Sequence, residues 1–208
     1  TLHLVILLLA SVSFDGLSST PAWLNLQNGI INILLNVTML NHSHLMLVDT
    51  LGLIAIPISF LAIYLLFTRF MVIISSSSNM QGDLYIRFSL ALIPIAVAYT
   101  VAHYFTYLIT VGQLIIPALS DPFGYGWNLI GTTDYAVNIG IIDAKLAWFL
   151  AVGSIVTGHV IAVYTAHIIA IGIMPNSRAM LKSQYPMLIL MVIYTVISLW
   201  IVAQPIVE

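Results

Sequence analysis

The sequence predicts an all-α integral membrane protein: a bundle of about five transmembrane helices with an interfacial helix and a structured outer loop. Hydrophobic residues make up 61% of the chain and charged residues 6%, whereas soluble domains carry about 25% charged residues. The mean hydropathy is +1.10. Long apolar stretches alternate with short polar ones, which is the pattern of a multi-pass membrane protein. These observations exclude a water-soluble fold.

Five apolar stretches are the predicted spans of a single transmembrane domain over 1–208. They cover about 1–13, 45–74, 84–119, 142–174 and 187–203. A helix needs about 20 residues to cross a bilayer. The first stretch is therefore too short, and we expect it to be the end of a helix whose beginning lies outside this sequence. Pro57 and Pro94 are the expected kink points of the second and third spans.

Two polar segments are expected to lie outside the spans. Segment 14–44 interleaves Asn, Gln and Ser with Leu, Ile and Trp. Its apolar residues, among them Leu24, recur at helical spacing, which favours a helix in the membrane interface or against the bundle. Segment 120–141 is rich in glycine and contains the turn-forming pair Asp121-Pro122, so a structured loop or re-entrant segment is predicted there.

The few charged residues predict an orientation. If the five predicted spans cross the membrane in alternating directions, the basic residues at one side are Arg69, Arg87, Arg178 and Lys182. The acidic residues at the other side are Asp15, Asp121, Asp134, Asp143 and Glu208, with Lys145 as their basic neighbour. Basic loops of membrane proteins tend to stay in the cytoplasm. We therefore expect loops 70–86 and 175–186 to be cytoplasmic, and segments 14–44 and 120–141 and the C-terminus to lie outside.

Several classes of function have no support in the sequence. The net charge of −2 gives no reason to expect a nucleic-acid partner, and membrane lipid is the expected surroundings. The chain has no cysteine, which excludes disulfides, thiolate metal sites and a cysteine nucleophile. It also contains no Walker-type phosphate loop, no His-Glu-x-x-His helix and no Gly-x-Ser-x-Gly turn.

Two histidines lie near the middle of predicted spans. His103 is in the third span and His159 in the fourth, so antiparallel neighbours would hold them at similar depth, where they could face each other. Two facing imidazoles could ligate a haem iron or form half of a copper, zinc or iron site. Alternatively, each donates a hydrogen bond to the next helix and holds the bundle together. His167 lies about 12 Å further along the helix, too far to share a metal with His159.

Carboxylates at the outer ends of the spans form a second candidate site. Together with imidazoles, they could bind a divalent metal and activate water. The predicted metal ligands are His103, His159, Asp15, Asp121 and Asp134. The alternative is that these aspartates cap helices and shape turns, as aspartate commonly does. The sequence assigns no catalytic residue.

Short strings along almost the whole chain resemble those of a known family. They are Phe14-Asp15-Gly16-Leu17, Thr20-Pro21-Ala22-Trp23, Ala102-His103-Tyr104, Gly112-Gln113-Leu114-Ile115-Ile116-Pro117, Ser120-Asp121-Pro122-Phe123-Gly124-Tyr125-Gly126-Trp127, Gly158-His159-Val160-Ile161-Ala162-Val163-Tyr164, Ser183-Gln184-Tyr185-Pro186-Met187 and Ser198-Leu199-Trp200. In residue identity and order, these strings resemble the carboxy-terminal half of membrane proteins often labelled fenitrothion hydrolase.

The resemblance implies a longer protein and suggests a reaction. Members of that family carry Trp-rich helices upstream, so an amino-terminal half would precede this sequence or be supplied by another polypeptide. The family label names the hydrolysis of a synthetic organophosphate ester. The motif positions that the resemblance carries over, without assigning them roles, are Asp15, His103, Gln113, Asp121, Asp134, His159 and Gln184.

Two classes of function therefore stay open. In the first, the chain is a polytopic subunit of a larger membrane complex that supports a metal site in or near the outer membrane face. In the second, it is a membrane-embedded, metal-dependent hydrolase. A third alternative is an electron-transfer subunit that binds haem or quinone. A divalent metal or haem is the expected cofactor, and other membrane subunits or the amino-terminal half are the expected partners.

Overall fold

The computed structural model describes residues 2–37, 44–75, 81–174 and 176–204. Every regular element within these ranges is helical, which confirms the predicted all-α class. The α-helices are α1 (Leu2–Ser18), α2 (Pro21–Val37), α3 (His44–Ser75), α4 (Gln81–Leu90), α5 (Ile93–Val111), α6 (Ile115–Ser120), α7 (Ala144–Ile173) and α8 (Ser177–Val202). Short 3₁₀ turns cover Gly112–Leu114 and Ile139–Ile141.

Four helical stretches of the described chain are long and apolar enough to cross a membrane. They are Met46–Ser75, Leu84–Ser120, Ala144–Ile173 and Ser177–Val202. A fifth is present if α1 and the first part of α2 count as one broken span, and these two helices meet at an angle of 83°. The count of four to five agrees with the predicted multi-span bundle.

Helix α1 packs one face against the bundle. It packs against α2, α3, α4, α5 and α8. Leu9 and Ala10, halfway along it, are 1% and 0% exposed. The helix continues to Ser18, beyond the predicted end of the first span at residue 13. Leu4, Leu7 and Leu8 are exposed, so one face of α1 belongs to the core and the other faces away from it.

Helix α2 turns away from α1 and packs on the start of α3. Its buried side chains include Trp23 and Gln27, and the Trp23 ring meets the edge of Phe14 with ring centres 5.1 Å apart. Leu24, one of the apolar residues at helical spacing, is exposed in this chain. Hydrogen bonds from Trp23 and Gln27 to the Asp49 carboxylate decide which side of α2 faces inward.

The predicted third span is interrupted twice. Helix α4 ends at Leu90, and α5 begins at Ile93 with Pro94 in its first turn. Proline has no N–H to donate to the preceding turn, so it fits the start of a helix better than its interior. The predicted kink at Pro94 is therefore confirmed as a break. The second break, the 3₁₀ turn before Pro117, was not predicted.

The predicted limits hold for the fourth span but not for the fifth. Helix α7 agrees with the predicted 142–174 to within two residues, and the Asp143 side chain caps it by accepting a hydrogen bond from the Leu146 N–H at 3.3 Å. Helix α8 begins ten residues before the predicted start at 187. The Asn176 side chain caps α8 through the Ala179 N–H at 2.8 Å, and the helix continues through Pro186. Most of the predicted loop 175–186 is thus helical.

Tyrosine hydroxyls and one glycine hold the helices together. Tyr194 of α8 stacks on Phe60 of α3 with ring centres 4.9 Å apart, and its hydroxyl donates to the Phe60 carbonyl. The Tyr64 hydroxyl donates to the carbonyl of Tyr85 in α4 at 2.8 Å. At Gly158, α7 comes so close to α5 that an added Cβ would lie 2.7 Å from the Pro94 carbonyl oxygen.

The helix directions place most of the charges in two groups, with Lys145 at the start of α7 and Asp83 in the first turn of α4 as exceptions. Asp15 lies near the end of α1, Asp49 near the start of α3, and Asp143 just before α7. Arg69 lies near the end of α3, and Arg178 in the first turn of α8. We call the end with the aspartates the outer end and the opposite one the inner end.

Candidate functional site

A carboxylate, an imidazole and a phenol meet at the outer end of α1 and α5. Asp15 Oδ2 lies 2.9 Å from His103 Nε2 and 2.7 Å from the Tyr104 hydroxyl. Side-chain exposure is 52% for Asp15 and 23% for His103. The structure therefore brings together Asp15 and His103, two of the five predicted metal ligands, and adds Tyr104.

The hydrogen bonds fix the roles of the His103 nitrogens. An ionised carboxylate only accepts hydrogen bonds, so His103 donates its Nε2–H to Asp15. The other ring nitrogen, Nδ1, has no hydrogen-bond partner among the described residues. In the neutral imidazole Nδ1 carries a lone pair that can accept a proton or bind a metal. Histidines that ligate metals commonly donate their other N–H to a carboxylate in this way.

His103 lines a pocket of about 290 Å³ at the outer end, which we call the outer pocket. Four helices contribute to it: α1, α5, α7 and α8. Representative lining residues are Gly16, His103, Thr106, Trp148, Ala151 and Ile201. Small residues at the helix contacts leave the space, Trp148 supplies an aromatic wall, and His103 is the titratable side chain of the lining.

The length of the third span explains why the site lies at helix ends although His103 is mid-span in the sequence. Leu84–Ser120 covers 37 residues, whereas Ala144–Ile173 covers 30. His103 shares the outer pocket with Trp148, in the second turn of α7, and with Ile201, near the end of α8. The part of the span beyond His103 therefore extends past the ends of its neighbours.

His159 does not face His103. Gly158 packs on Pro94 and Ala98, whereas His103 lies beside Ala151 of α7. Eight residues separate Ala151 from His159, which is about 12 Å along a helix. The prediction of similar depth is wrong because the long third span shifts the register between α5 and α7.

Both histidines of α7 form hydrogen bonds to α8. His159 Nδ1 lies 2.7 Å from the Thr195 hydroxyl, and His167 Nδ1 lies 3.0 Å from Gln184 Oε1. The Thr195 hydroxyl donates its only hydrogen to the Met191 carbonyl, so His159 must be the donor in its own contact. These two bonds match the alternative in which intramembrane histidines hold neighbouring helices together.

The remaining predicted ligands belong to the outer loop. Asp121 accepts hydrogen bonds from the N–H groups of Tyr125 and Gly126 at 2.9 and 2.7 Å. Gly126 has a φ of 78°, a conformation that glycine adopts readily and other residues rarely do. Asp134 is exposed and has no hydrogen-bond partner in the described part of the chain. Asp121 thus shapes a turn, as the alternative interpretation proposed.

Gln113 anchors this loop to the end of α5. Its amide nitrogen donates to the Asn138 carbonyl at 3.0 Å, and its amide oxygen accepts from the Asn138 N–H and the Tyr135 hydroxyl. The side chain is 8% exposed. Its role in this structure is therefore to hold loop and helix together, and it lies outside the outer pocket.

The five predicted metal ligands do not converge. Across the described ranges, no three His, Cys, Asp or Glu side chains come close enough together to hold one metal ion. A larger groove of about 620 Å³ lies between α5 and α7, but small and apolar side chains line it and none of them is titratable. The outer pocket is therefore the candidate site.

Sequence reasoning missed Tyr99. Its hydroxyl is the one buried side-chain polar atom within the described residues that has no hydrogen-bond partner. Tyr99 precedes His103 by four residues on α5, so both side chains lie on the same face of the helix. That spacing is the signal in the sequence that could have drawn attention to it.

Comparisons of the chain with models of protein families, with curated proteins and with solved structures found no match. The resemblance to the fenitrothion hydrolase-labelled family therefore stays a prediction.

Proposed function

We propose that this chain is an integral membrane subunit of a larger membrane assembly, in which His103 contributes to a metal site at the outer end. The observation that supports this proposal is the Asp15–His103 pair: His103 lines the outer pocket, and its second ring nitrogen has no hydrogen-bond partner among the described residues. One imidazole and one carboxylate are too few to hold most metal ions. The remaining ligands would come from another subunit or from the amino-terminal half.

The surfaces of the spans support the subunit role. In the most apolar windows of the second and fourth spans, only 17% and 22% of the residues are buried within this chain. Leu51 and Ile58 of α3 and Phe149 and Val160 of α7 are among the exposed apolar side chains. Such surfaces suit lipid and neighbouring helices, because both are apolar. The half-exposed Asp15 carboxylate lies where a neighbouring subunit could reach it.

The metal prediction is tested on the detergent-purified native assembly, by metal analysis together with an optical spectrum. We expect His103→Gln to remove a stoichiometric metal or haem band. We expect Asp15→Asn to weaken metal binding about ten- to a hundredfold, because carboxylate partners of ligating histidines have effects of that size. His167→Gln is the matched control and should keep the metal, since His167 bonds to α8 outside the outer pocket.

Two results would contradict this proposal. One is an intact assembly that contains no metal with His103 unchanged. The other is loss of the metal in His159→Gln but not in His103→Gln, which would place the metal at the contact between α7 and α8. Mass spectrometry of the same sample tests the subunit role. If the chain is purified folded and with its metal, but without other polypeptides, it is not a subunit.

Hydrolysis is the second candidate, because an Asp–His pair can also activate water. Asp15 would orient the imidazole, and the free Nδ1 would take a proton from water as it attacks an ester. A neutral, chromogenic phosphotriester is the suitable substrate given the family label. If the assembly hydrolyses it in a His103-dependent manner, the hydrolase alternative gains support. A rate that His103→Gln leaves unchanged removes it.

We also propose that the outer end faces the outside of the cell and the inner end the cytoplasm, as the positive-inside tendency predicts. The chain contains no cysteine, so a single introduced thiol reports its own position. Ala136 and Ser177 are exposed positions near opposite ends of α7. We expect a membrane-impermeant maleimide to label Ala136→Cys in intact cells and Ser177→Cys only after permeabilisation. The reverse pattern would invert the topology.

A further inference from the structure

We infer that the outer pocket binds an uncharged, largely apolar molecule carrying a carbonyl-type acceptor oxygen, and that the Tyr99 hydroxyl binds this oxygen. The inference rests on the proposed site at His103, but it requires no metal there. It begins with the Tyr99 hydroxyl, which is fully buried and unpaired in the described structure. Buried hydroxyls are almost always hydrogen-bonded, so an unpaired one calls for an explanation.

The Tyr99 hydroxyl lies against the floor of the outer pocket. A Cβ added to Gly16 would lie 3.1 Å from the Tyr99 oxygen and 3.4 Å from His103 Cε1. Gly16 and His103 both line the pocket. The same point lies 2.8 Å from Ile201 Cγ2, so the missing side chain at Gly16 brings the tyrosine hydroxyl, the imidazole and the Ile201 methyl group together beside the pocket. A ligand in the pocket would reach the hydroxyl by moving the Ile201 side chain.

The neighbouring polar groups leave this hydroxyl available as a donor. The Asp15 carboxylate already accepts hydrogen bonds from His103 and Tyr104, and it forms none with Tyr99. His103 Nδ1 is an acceptor in the neutral imidazole. A ligand oxygen that accepts a hydrogen bond would therefore give Tyr99 the partner that it lacks.

The other lining residues disfavour a charged ligand. Trp148, Ala151 and Ile201 form apolar walls. The other polar lining residues besides His103 are uncharged, and no lysine or arginine lines the pocket; they are Ser19, Thr20, Thr106 and Gln204. The Asp15 carboxylate beside His103 would repel an anion. A cation without an acceptor atom would leave Tyr99 unpaired. The volume of about 290 Å³ is at the small end of the range for small-molecule sites.

The test uses 1,4-naphthoquinone as the probe, on the full chain in its detergent-purified assembly. Naphthalene is the matched compound without acceptor oxygens, and naphthalene-1-sulfonate is the matched anion. Binding is followed by quenching of tryptophan fluorescence, because Trp148 lines the pocket. We expect saturable quenching by the quinone and about tenfold weaker binding in Tyr99→Phe, the usual effect of losing one hydrogen bond.

Two control variants locate the effect. Tyr107→Phe changes an exposed tyrosine of the same helix and should leave the Kd unchanged. Trp148→Phe should abolish the saturable signal. Without ligand, Tyr99→Phe should unfold at the same or a higher temperature than the unchanged protein, because it removes an unpaired buried hydroxyl. A lower unfolding temperature would mean that the hydroxyl has an internal partner, and would overturn the inference.

Other results would also overturn it: an unchanged Kd in Tyr99→Phe, naphthalene or the sulfonate binding as tightly as the quinone, or saturable quenching that persists in Trp148→Phe. These failures are distinguishable from a failure of the proposed function. If the metal is lost in His103→Gln but the quinone binds equally well in Tyr99→Phe, only the inferred ligand site at Tyr99 is rejected. If quinone binding is weaker in Tyr99→Phe but the assembly contains no metal, only the proposed metal site at His103 is rejected.

Discussion

Replacing Gly158 by valine is expected to destabilise the bundle by about 3 kcal/mol or more. A Cβ at this position would lie 2.7 Å from the Pro94 carbonyl oxygen and would overlap the Ala98 methyl group. Neither atom is the end of a flexible side chain, so the two helices must move apart to accept the new side chain. Overpacking of this kind typically costs about 1–3 kcal/mol, and the branched valine adds further atoms to the same contact.

The measurement is thermal unfolding in detergent, with the fraction of protein that remains monodisperse as the readout. Gly153→Val is the matched control, since it lies on the same helix and a Cβ there meets no atom within 4 Å. The two variants share the change in helix propensity and in mass. If they unfold at the same temperature, the close contact between α5 and α7 does not determine stability.

Replacing Asp49 by alanine is expected to release α2 from the bundle. The Asp49 carboxylate accepts hydrogen bonds from Trp23 Nε1 and from the Gln27 amide, and both donor side chains are buried. Hydrogen bonds to a charged group contribute about 1.5–3 kcal/mol each, and a buried donor without a partner carries a further cost. We expect the docking of α2 to weaken by about 3 kcal/mol, while the packing of α5 with α7 stays intact.

Hydrogen exchange measured by mass spectrometry resolves this local effect. Amides of α2 should exchange at least a hundredfold faster in Asp49→Ala, as a change of about 3 kcal/mol in local opening requires. Asp134→Ala is the control, because Asp134 is exposed and forms no hydrogen bond with the described residues. Equal protection of α2 in both variants would show that Asp49 does not hold it.

The lengths of the apolar stretches predicted the spans well but could not show which helix faces are buried against other helices. Helix α7 was predicted to within two residues because a membrane requires long apolar runs between polar caps such as Asp143. The burial of α1 was not predictable in the same way. Lipid and protein interior are both apolar, so a helix that is apolar on all sides gives the same pattern in either setting.

The ten residues before Met187 were predicted to be a loop, but they are helical. Their serine, lysine and glutamine side chains are typical of a loop, yet they form the first turns of α8. The Asn176 cap and hydrogen bonds such as that between Gln184 and His167 compensate for the polar composition. Asp15 and His103 were identified as candidates from their residue types and their positions along the predicted spans. Their pairing depends on how far α5 extends past its neighbours, which no local pattern encodes.

The contact between Gly16 and Ile201 has a consequence for biosynthesis. These two residues both line the outer pocket and lie against each other, although almost the whole described chain separates them. A ribosome delivers α1 long before α8, and folding proceeds as the chain emerges. The buried faces of α1 must therefore be shielded by the insertion machinery or by temporary neighbours until the last helix arrives. The pocket cannot exist on a nascent chain, so ligand binding there would also report that the polypeptide has been fully inserted.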